Sequence, residues 1–229
     1  MKIKTGARSS PLSKAQFEEV VRELSLHHPE LILEPIWAMS PGDRDKTTSL
    51  QRLGKCDFFT RDLDEMLLSG QIRIAIHSAK DLPEPLAKGL AIVALTKGVD
   101  PRDSLVMRPG TALEAGFKIA TSSVRREEAV SKLCPGLSFT DLRGTIGERL
   151  ARLEGGEVDG VVIAEAALIR LKLTHLNRIY LNGAVPLQGR LAVAACSGDA
   201  EIERLLQVLD TPRAMNELDE RICGSFKES

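Results

Sequence analysis

Aromatic residues are scarce, at 3% of 229 positions with one tryptophan and one tyrosine. Base-stacking platforms and aromatic cages therefore have little to be built from. Neither sign of charge prevails: 31 basic residues face 32 acidic ones for a net charge of -1. That balance argues against a nucleic-acid module driven by bulk positive charge. No apolar run is long enough to span a bilayer. The opening Met1-Lys2-Ile3-Lys4-Thr5-Gly6 lacks the apolar stretch of a secretory signal. The four cysteines, Cys56, Cys134, Cys196 and Cys223, form no C-x-x-C and no metal-like spacing with the four histidines. No metal site is expected, and a reduced, cytoplasmic protein with no membrane partner is the expectation. No repeat recurs and no segment is low in complexity. What is present is 43% hydrophobic and 28% charged sequence, a globular composition able to bury a core.

The apolar pattern alternates short β-type runs with longer helical ones. Ile3 to Thr5 reads as a strand, and Pro11 to Leu26 as a helix with proline at its start. Leu31 to Met39 is strand-like, with Pro35 pointing to a sheet edge. Phe58 to Ser69 has a helical stripe, and Ile72 to Ile76 and Leu90 to Leu95 suit buried strands. The same grammar restarts with a strand at Lys118 to Ala120 and a helix from Val124 to Leu133. Leu137 to Asp141, Val158 to Ala164 and Arg190 to Cys196 follow as strands. Thr145 to Leu153, Glu165 to Leu171 and Ile202 to Leu209 follow as helices. This alternation predicts an α/β fold with mostly parallel sheets. Lys97 to Asp103 reads as a crossover to a second lobe, and Gln188-Gly189 as the return. Lobe 1 then takes 1–98 plus 190–209, lobe 2 takes 99–189, and 210–229 is a short helix or tail. Two crossings imply a hinge and a central cleft.

Cations and small hydroxyls collect at the strand-to-helix turns. Arg8-Ser9-Ser10 follows the first strand, and His77-Ser78-Ala79-Lys80-Asp81 follows Ile72 to Ile76. Thr121-Ser122-Ser123 precedes a helix carrying Arg125 and Arg126, and Arg143-Gly144-Thr145 follows another strand. In open α/β sheets such turns form the ligand crevice. Helix N-termini bind anions, and arginine forks grip carboxylates two bonds at a time. A ligand bearing several carboxylates or phosphates is implied. Each turn has a plainer alternative. Thr121 to Ser123 could be ordinary helix caps, Arg125 and Arg126 a solvated face, and His77 a satisfied core histidine. Gly54-Lys55 lacks the spacing of a phosphate loop. Asp81, a carboxylate among cations, fits an acid/base or charge-stabilising role.

His77-Ser78-Ala79-Lys80-Asp81-Leu82-Pro83 resembles the H-S-x-K-D-x-P motif of the porphobilinogen deaminase (hydroxymethylbilane synthase) family. Further blocks follow in order. They are Arg8-Ser9-Ser10-Pro11-Leu12 with Gln16, Gly54-Lys55, Asp100-Pro101-Arg102-Asp103, Thr121 to Arg126, Leu142-Arg143-Gly144 with Arg149, Pro186 to Gly189, and Leu191-Ala192-Val193. The resemblance implies a two-lobed fold like the type II periplasmic binding proteins, with a smaller third domain. It implies head-to-tail condensation of four porphobilinogen molecules into hydroxymethylbilane, with release of ammonia, in haem and tetrapyrrole biosynthesis. It also implies a dipyrromethane primer held by a thioether to a cysteine.

Carried over by position, Asp81 is the catalytic carboxylate. Arg125, Arg126, Arg143, Arg149 and Arg170 are implied to bind the acetate and propionate groups of primer and substrate. Arg8, Ser10, Lys55, Lys80, Thr121, Ser123 and Gln188 complete the site, with Ser78 and Ser122 beside them. The sequence departs from the family at three places. Thr145 stands where the family's L-R-G-N turn has asparagine, and Ala194 where an acid is usual. Glu220-Arg221 is followed by only Ile222 to Ser229, so the third domain and its Gly-Gly-Cys loop are expected to be missing. Cys223 is then the candidate for primer attachment, an ordinary cysteine in a terminal tail being its plainer alternative, with Cys56 a distant second and Cys134 and Cys196 read as buried. A non-catalytic, two-lobed binder of tetrapyrrole precursors or other polycarboxylates is the alternative. Val208, Leu209, Met215 and Leu218 are candidates for an exposed patch and weak self-association of an otherwise monomeric chain.

Overall fold

The computed structural model describes residues 1–44 and 57–210. Lys55, Cys56, Met215, Leu218 and Cys223 lie outside the described residues. The chain begins β1 (Lys2–Arg8), α1 (Pro11–Ser25), β2 (Ile32–Ala38), α2 (Pro41–Arg44), α3 (Arg61–Leu68), β3 (Ile74–Ser78) and β4 (Leu90–Leu95). It continues with β5 (Asp103–Met107), β6 (Lys118–Ala120), α4 (Val124–Ser131), β7 (Ser138–Thr140), α5 (Ile146–Glu154), β8 (Gly160–Ala164), α6 (Glu165–Arg170) and β9 (Arg178–Leu181). β10 (Leu191–Cys196) and α7 (Ala200–Leu206) close it. Two compact units result. One holds Met1–Arg44 with the described parts of Lys55–Val99 and Pro186–Ser229, and the other holds Asp100–Val185. Among the described residues no helix is long and apolar enough to cross a membrane.

The first unit is a five-stranded sheet in the order β2-β1-β3-β10-β4. Period-two alternation sends Ile74, Ile76, Leu191 and Val193 to one face, under Phe17, Val20 and Leu24 of α1 and Ile202 and Leu206 of α7. Ala75, Ala192 and Ala194 point to the other face, under Leu63 and Leu67 of α3. Small residues are needed there because the helix sits close. A Cβ on Gly6 would stand 2.3 Å from the Ile72 Cδ1 and 2.8 Å from the Leu63 Cδ2. Helix starts follow local chemistry. Pro11 presets the φ of the first turn of α1, and the Ser10 Oγ accepts from the Ser13 amide at 3.2 Å. β2 is an edge strand, which is where Pro35 can sit without breaking a ladder.

The second unit repeats the plan in the order β7-β6-β8-β5-β9. Its core gathers Leu105, Met107, Ile119, Val130, Val162 and Leu181. β5 and β9 are the two strands that the alternating pattern does not reveal. Asp103, taken from sequence as the end of a crossover, instead opens β5. In each unit the fourth strand of the order, β10 or β5, runs antiparallel to the third. Its starting end therefore lies beside the finishing ends of the parallel strands.

Three further residues are placed otherwise than expected. Leu209 is no surface residue: it is 3% exposed in the core beneath α1 and α7, because the chain after α7 turns back onto the sheet. Cys134 and Cys196 are half-buried instead of buried, each S–H being directed at a backbone carbonyl, Pro135 at 3.5 Å and Leu67 at 3.4 Å.

Asp64 on α3 carries a pH dependence. Its carboxylate accepts from the Thr60 hydroxyl at 2.8 Å, yet burial pushes its pKa up to about 6. A carboxyl whose folded pKa is raised favours the fold when protonated, below its ordinary value near 3.8. That contribution is lost as pH rises from there through about 6. Asp64→Asn keeps the acceptor and removes the ionisation. It is expected to stabilise the protein by about 1–2 kcal/mol above pH 6 and to flatten stability across that window. Urea titrations at several pH values would detect it, and an unchanged pH slope would refute it.

Candidate functional site

In the first unit, β1 and β3 run parallel and end side by side. Arg8, at the end of β1, lies with its guanidinium 4.7 Å from the centre of the Phe59 ring. Ser10 caps α1 and shares a 2.9 Å hydrogen bond with the Ser13 hydroxyl. The Gln16 amide on α1 donates to the Ser78 hydroxyl at 2.8 Å, tying the helix to the end of β3. Beyond Ser78 the chain makes one tight helical turn, Ala79–Asp81, which leaves Asp81 exposed. The antiparallel start of β10 pairs Leu191 with Ser78, and this brings in the turn before it. Lys80 Nζ thus donates to Gln188 Oε1 at 3.4 Å, although the two residues are 108 positions apart.

His77 is buried on the same strand. Burial, with the Arg8 charge adding to it, pushes its pKa down to about 4, so the ring is neutral near pH 7. Its Nε2 has no hydrogen-bond partner among the described residues, unlike a satisfied core histidine.

The second unit concentrates the arginines. β6 and β7 pair in parallel, so Thr121-Ser122-Ser123 and Asp141 to Thr145 leave the sheet at one edge. Thr121 is 1% exposed, and its Oγ1 has no partner among the described residues. The Ser122 hydroxyl is turned to the neighbouring turn, where it meets the Asp141 carboxylate and accepts from the Leu142 amide at 2.9 Å. Ser123 occupies the cap position of α4, but its side chain makes no capping bond. The first amides of α4 are thus left without that acceptor. Gly144 has φ +92°, the left-handed region, which frees its carbonyl to accept from Arg149 Nε at 2.9 Å. Thr145 caps α5 in a reciprocal box with Glu148. A hydroxyl therefore serves this turn in place of an amide. Arg143 is half-buried in the same turn, and Arg170 is half-buried at the end of α6. Ala194 is 3% exposed, packed in the apolar cluster that includes Leu63 and Leu67 of α3.

Arg125 and Arg126 do not form a solvated face. Both reach the start of β5, where Asp103 is fully buried. Arg126 Nη2 donates to one Asp103 oxygen at 2.6 Å and Arg125 Nη2 to the other. Arg125 Nη1 adds a bond to the Gly183 carbonyl at 3.2 Å. Both Nε atoms are covered from water and make no hydrogen bond among the described residues. Sequence reasoning passed over Asp103 as a site residue. The signal was its place in Asp100-Pro101-Arg102-Asp103, opening an apolar run. These turns present oriented cationic and neutral donors, an unsatisfied buried hydroxyl and an open helix start, which is the chemistry of carboxylate binding.

Comparison with known proteins gives a family and a fold. Residues 3–204 match the family model described as "Porphobilinogen deaminase, dipyromethane cofactor binding domain". The chain is 39% identical over 208 residues to the probable porphobilinogen deaminase of Chlamydia muridarum, covering 89% of this chain and 85% of that one. It is 36% identical over 218 residues to the porphobilinogen deaminase of Streptococcus sanguinis, covering 90% of this chain and 70% of that one. Among solved structures it resembles the lipoprotein Tp32 of Treponema pallidum, with a TM-score of 0.56 at 14% identity over 97% of this chain and 96% of that one. A periplasmic substrate-binding protein of an ABC transporter from Coxiella burnetii gives 0.55 at 16% identity, over 97% of each chain. These likenesses establish the two-sheet α/β fold of the type II periplasmic binding proteins.

Proposed function

Since the chain belongs to the porphobilinogen deaminase family, we propose that it is a cytoplasmic transferase that condenses four porphobilinogen molecules head to tail into hydroxymethylbilane. The matched region is that family's dipyrromethane cofactor-binding domain, and the residues present fit such a group. A dipyrromethane bears several carboxylates. Thr121 Oγ1 and the arginine pair supply donors that are buried or uncommitted, a costly arrangement unless an anion completes it. That is the observation that carries the reading.

The roles divide by chemistry. Arg125, Arg126, Arg143, Arg149 and Arg170 hold acetate and propionate groups. Thr121, Ser123 and the first amides of α4 complete the carboxylate contacts, and Ser122 keeps their turn in register with the Leu142 turn. Arg8, Ser10, Ser78, Lys80 and Gln188 belong to the same task in the first unit, and Lys55 joins them by its place in the family pattern. Asp81, exposed on its turn, accepts hydrogen bonds from the pyrrole and aminomethyl nitrogens of the substrate. It stabilises the cation that develops as the C–N bond breaks and ammonia departs. When bound, the dipyrromethane supplies the pyrrole carbon at which the first new C–C bond forms.

Attachment is assigned to Cys223. The sulfurs of Cys134 and Cys196 are half-buried and turned to backbone carbonyls, which leaves less room for a primer to reach either. The denatured mass of the purified protein is expected to exceed the sequence mass by two pyrrole units, and peptide mapping should place them on Cys223. A modified Cys56 would move the anchor. A bare mass, unchanged after incubation with hydroxymethylbilane, would overturn covalent priming and favour a non-catalytic polycarboxylate binder.

A further inference from the structure

We infer that Asp103 is a positioning residue: it pre-sets the Arg125 and Arg126 guanidiniums so that a carboxylate meets an oriented pair with one net positive charge. The inference rests on the carboxylate-binding reading of this pair given above.

Three observations converge on it. Asp103 is 0% exposed, and each of its oxygens receives a different guanidinium. A buried carboxylate held by two cations is costly to desolvate, and a hydrophobic residue would serve packing as well. Secondly, the two contacts are end-on, through one Nη of each fork, and not side-on. Arg126 makes no other side-chain hydrogen bond among the described residues, and its side chain is only 14% exposed. The remainder of its fork is thus held in place without being used up. Thirdly, the position follows from topology. Asp103 pairs with Ala164 at the start of antiparallel β5, so it lies at the sheet edge where β6 delivers Thr121 and the start of α4.

The physical effect is twofold. Two neighbouring arginines repel, and one buried carboxylate between them offsets that repulsion and halves the net charge. A planar fork fixed at one end loses little further entropy on gripping a ligand, so binding is strengthened by preorganisation. The arginines hold carboxylates that do not react. Their loss of orientation should therefore weaken ground state and transition state alike, which appears in KM and not in kcat.

The test is Asp103→Asn, assayed with porphobilinogen on the primed protein. KM is expected to rise by about tenfold or more with kcat changed by less than about threefold. A role confined to stability would instead lower the active fraction, hence the apparent kcat, and leave KM where it was. That outcome overturns the proposal. Asp103→Glu keeps the charge with a longer reach and should recover part of the KM.

If Asp103→Asn fails to fold by circular dichroism, the wild type gives a second reading. Arginine side-chain NMR of the ligand-free protein should show slowed rotation about Cζ–Nε for two guanidiniums, assigned through Arg125→Lys and Arg126→Lys. Freely rotating guanidiniums would equally overturn it. A wild type that carries primer but does not consume porphobilinogen would refute the proposed function instead, and is separately recognisable.

Discussion

Asp81→Asn is expected to lower the rate of porphobilinogen consumption by at least about 10²–10³-fold while leaving substrate affinity within a few-fold. The carboxylate lies at the end of a tight turn that β3 delivers to the sheet edge, with Lys80 beside it and Gln188 bonded to that lysine. Its charge is needed when a cation develops, and an amide of the same shape still accepts a hydrogen bond in the ground state. Steady-state turnover and calorimetric binding to the same preparation separate the two. Turnover at the parent rate would end the catalytic assignment. Asp81→Glu should restore a fraction of the rate.

Glu165→Ala is expected to destabilise the second unit by about 3–5 kcal/mol. For a chain of this size that lowers the melting temperature by roughly 6–20 °C. Glu165 opens α6 at 1% exposure and accepts from the Ser104 hydroxyl at 2.5 Å, from Arg178 Nε at 3.0 Å and from Arg178 Nη2 at 3.0 Å. Its removal strands the Arg178 guanidinium, whose side chain is 15% exposed, with no carboxylate. Glu165→Gln keeps an acceptor and should cost less, and Glu165→Leu with Arg178→Met should recover most of the loss. Calorimetry on the four proteins is the check. A Glu165→Ala melting point within about 1 °C of the parent would show that the pair contributes nothing.

The elements most legible in the sequence were those whose signals are local. Pro11 after Ser10 marks the start of α1, and the run Leu90 to Leu95 is β4 as it stands. Lys118 to Ala120 followed by three hydroxyl residues marks β6 and its turn. Pro35 marks an edge because a missing N–H is a property of one residue. Phe58 to Ser69, read as one helix, is a tight turn at Asp57–Phe59 followed by α3, since apolar spacing does not distinguish the two. The ordered motifs from Arg8 to Val193 also fixed the family, because residue types at set spacings are themselves sequence.

What tertiary structure decided was which residues meet. β5 is buried along its whole length, so it shows no alternation to read, and β9 has only four residues, Arg178–Leu181. The turn signals Pro109-Gly110 and Asn182-Gly183 that follow them mark where each run ends but not what it pairs with. Without β5 there was no reason to connect Asp103 with Arg125 and Arg126, 22 and 23 positions away. Without β10 there was none to connect Lys80 with Gln188. The sequence by itself determined the alternation of strands and helices, the cationic turns and the family, and it put Asp81 forward as a candidate. The fold decided that the arginine pair is anchored on a buried acid, that Thr121 is buried with its hydroxyl unsatisfied, and that Ser122 braces a neighbouring turn. The reason is physical: backbone preference and apolar period act over a few residues. Ion pairs and hydrogen bonds act through space, and strand order alone sets which distant residues share an edge.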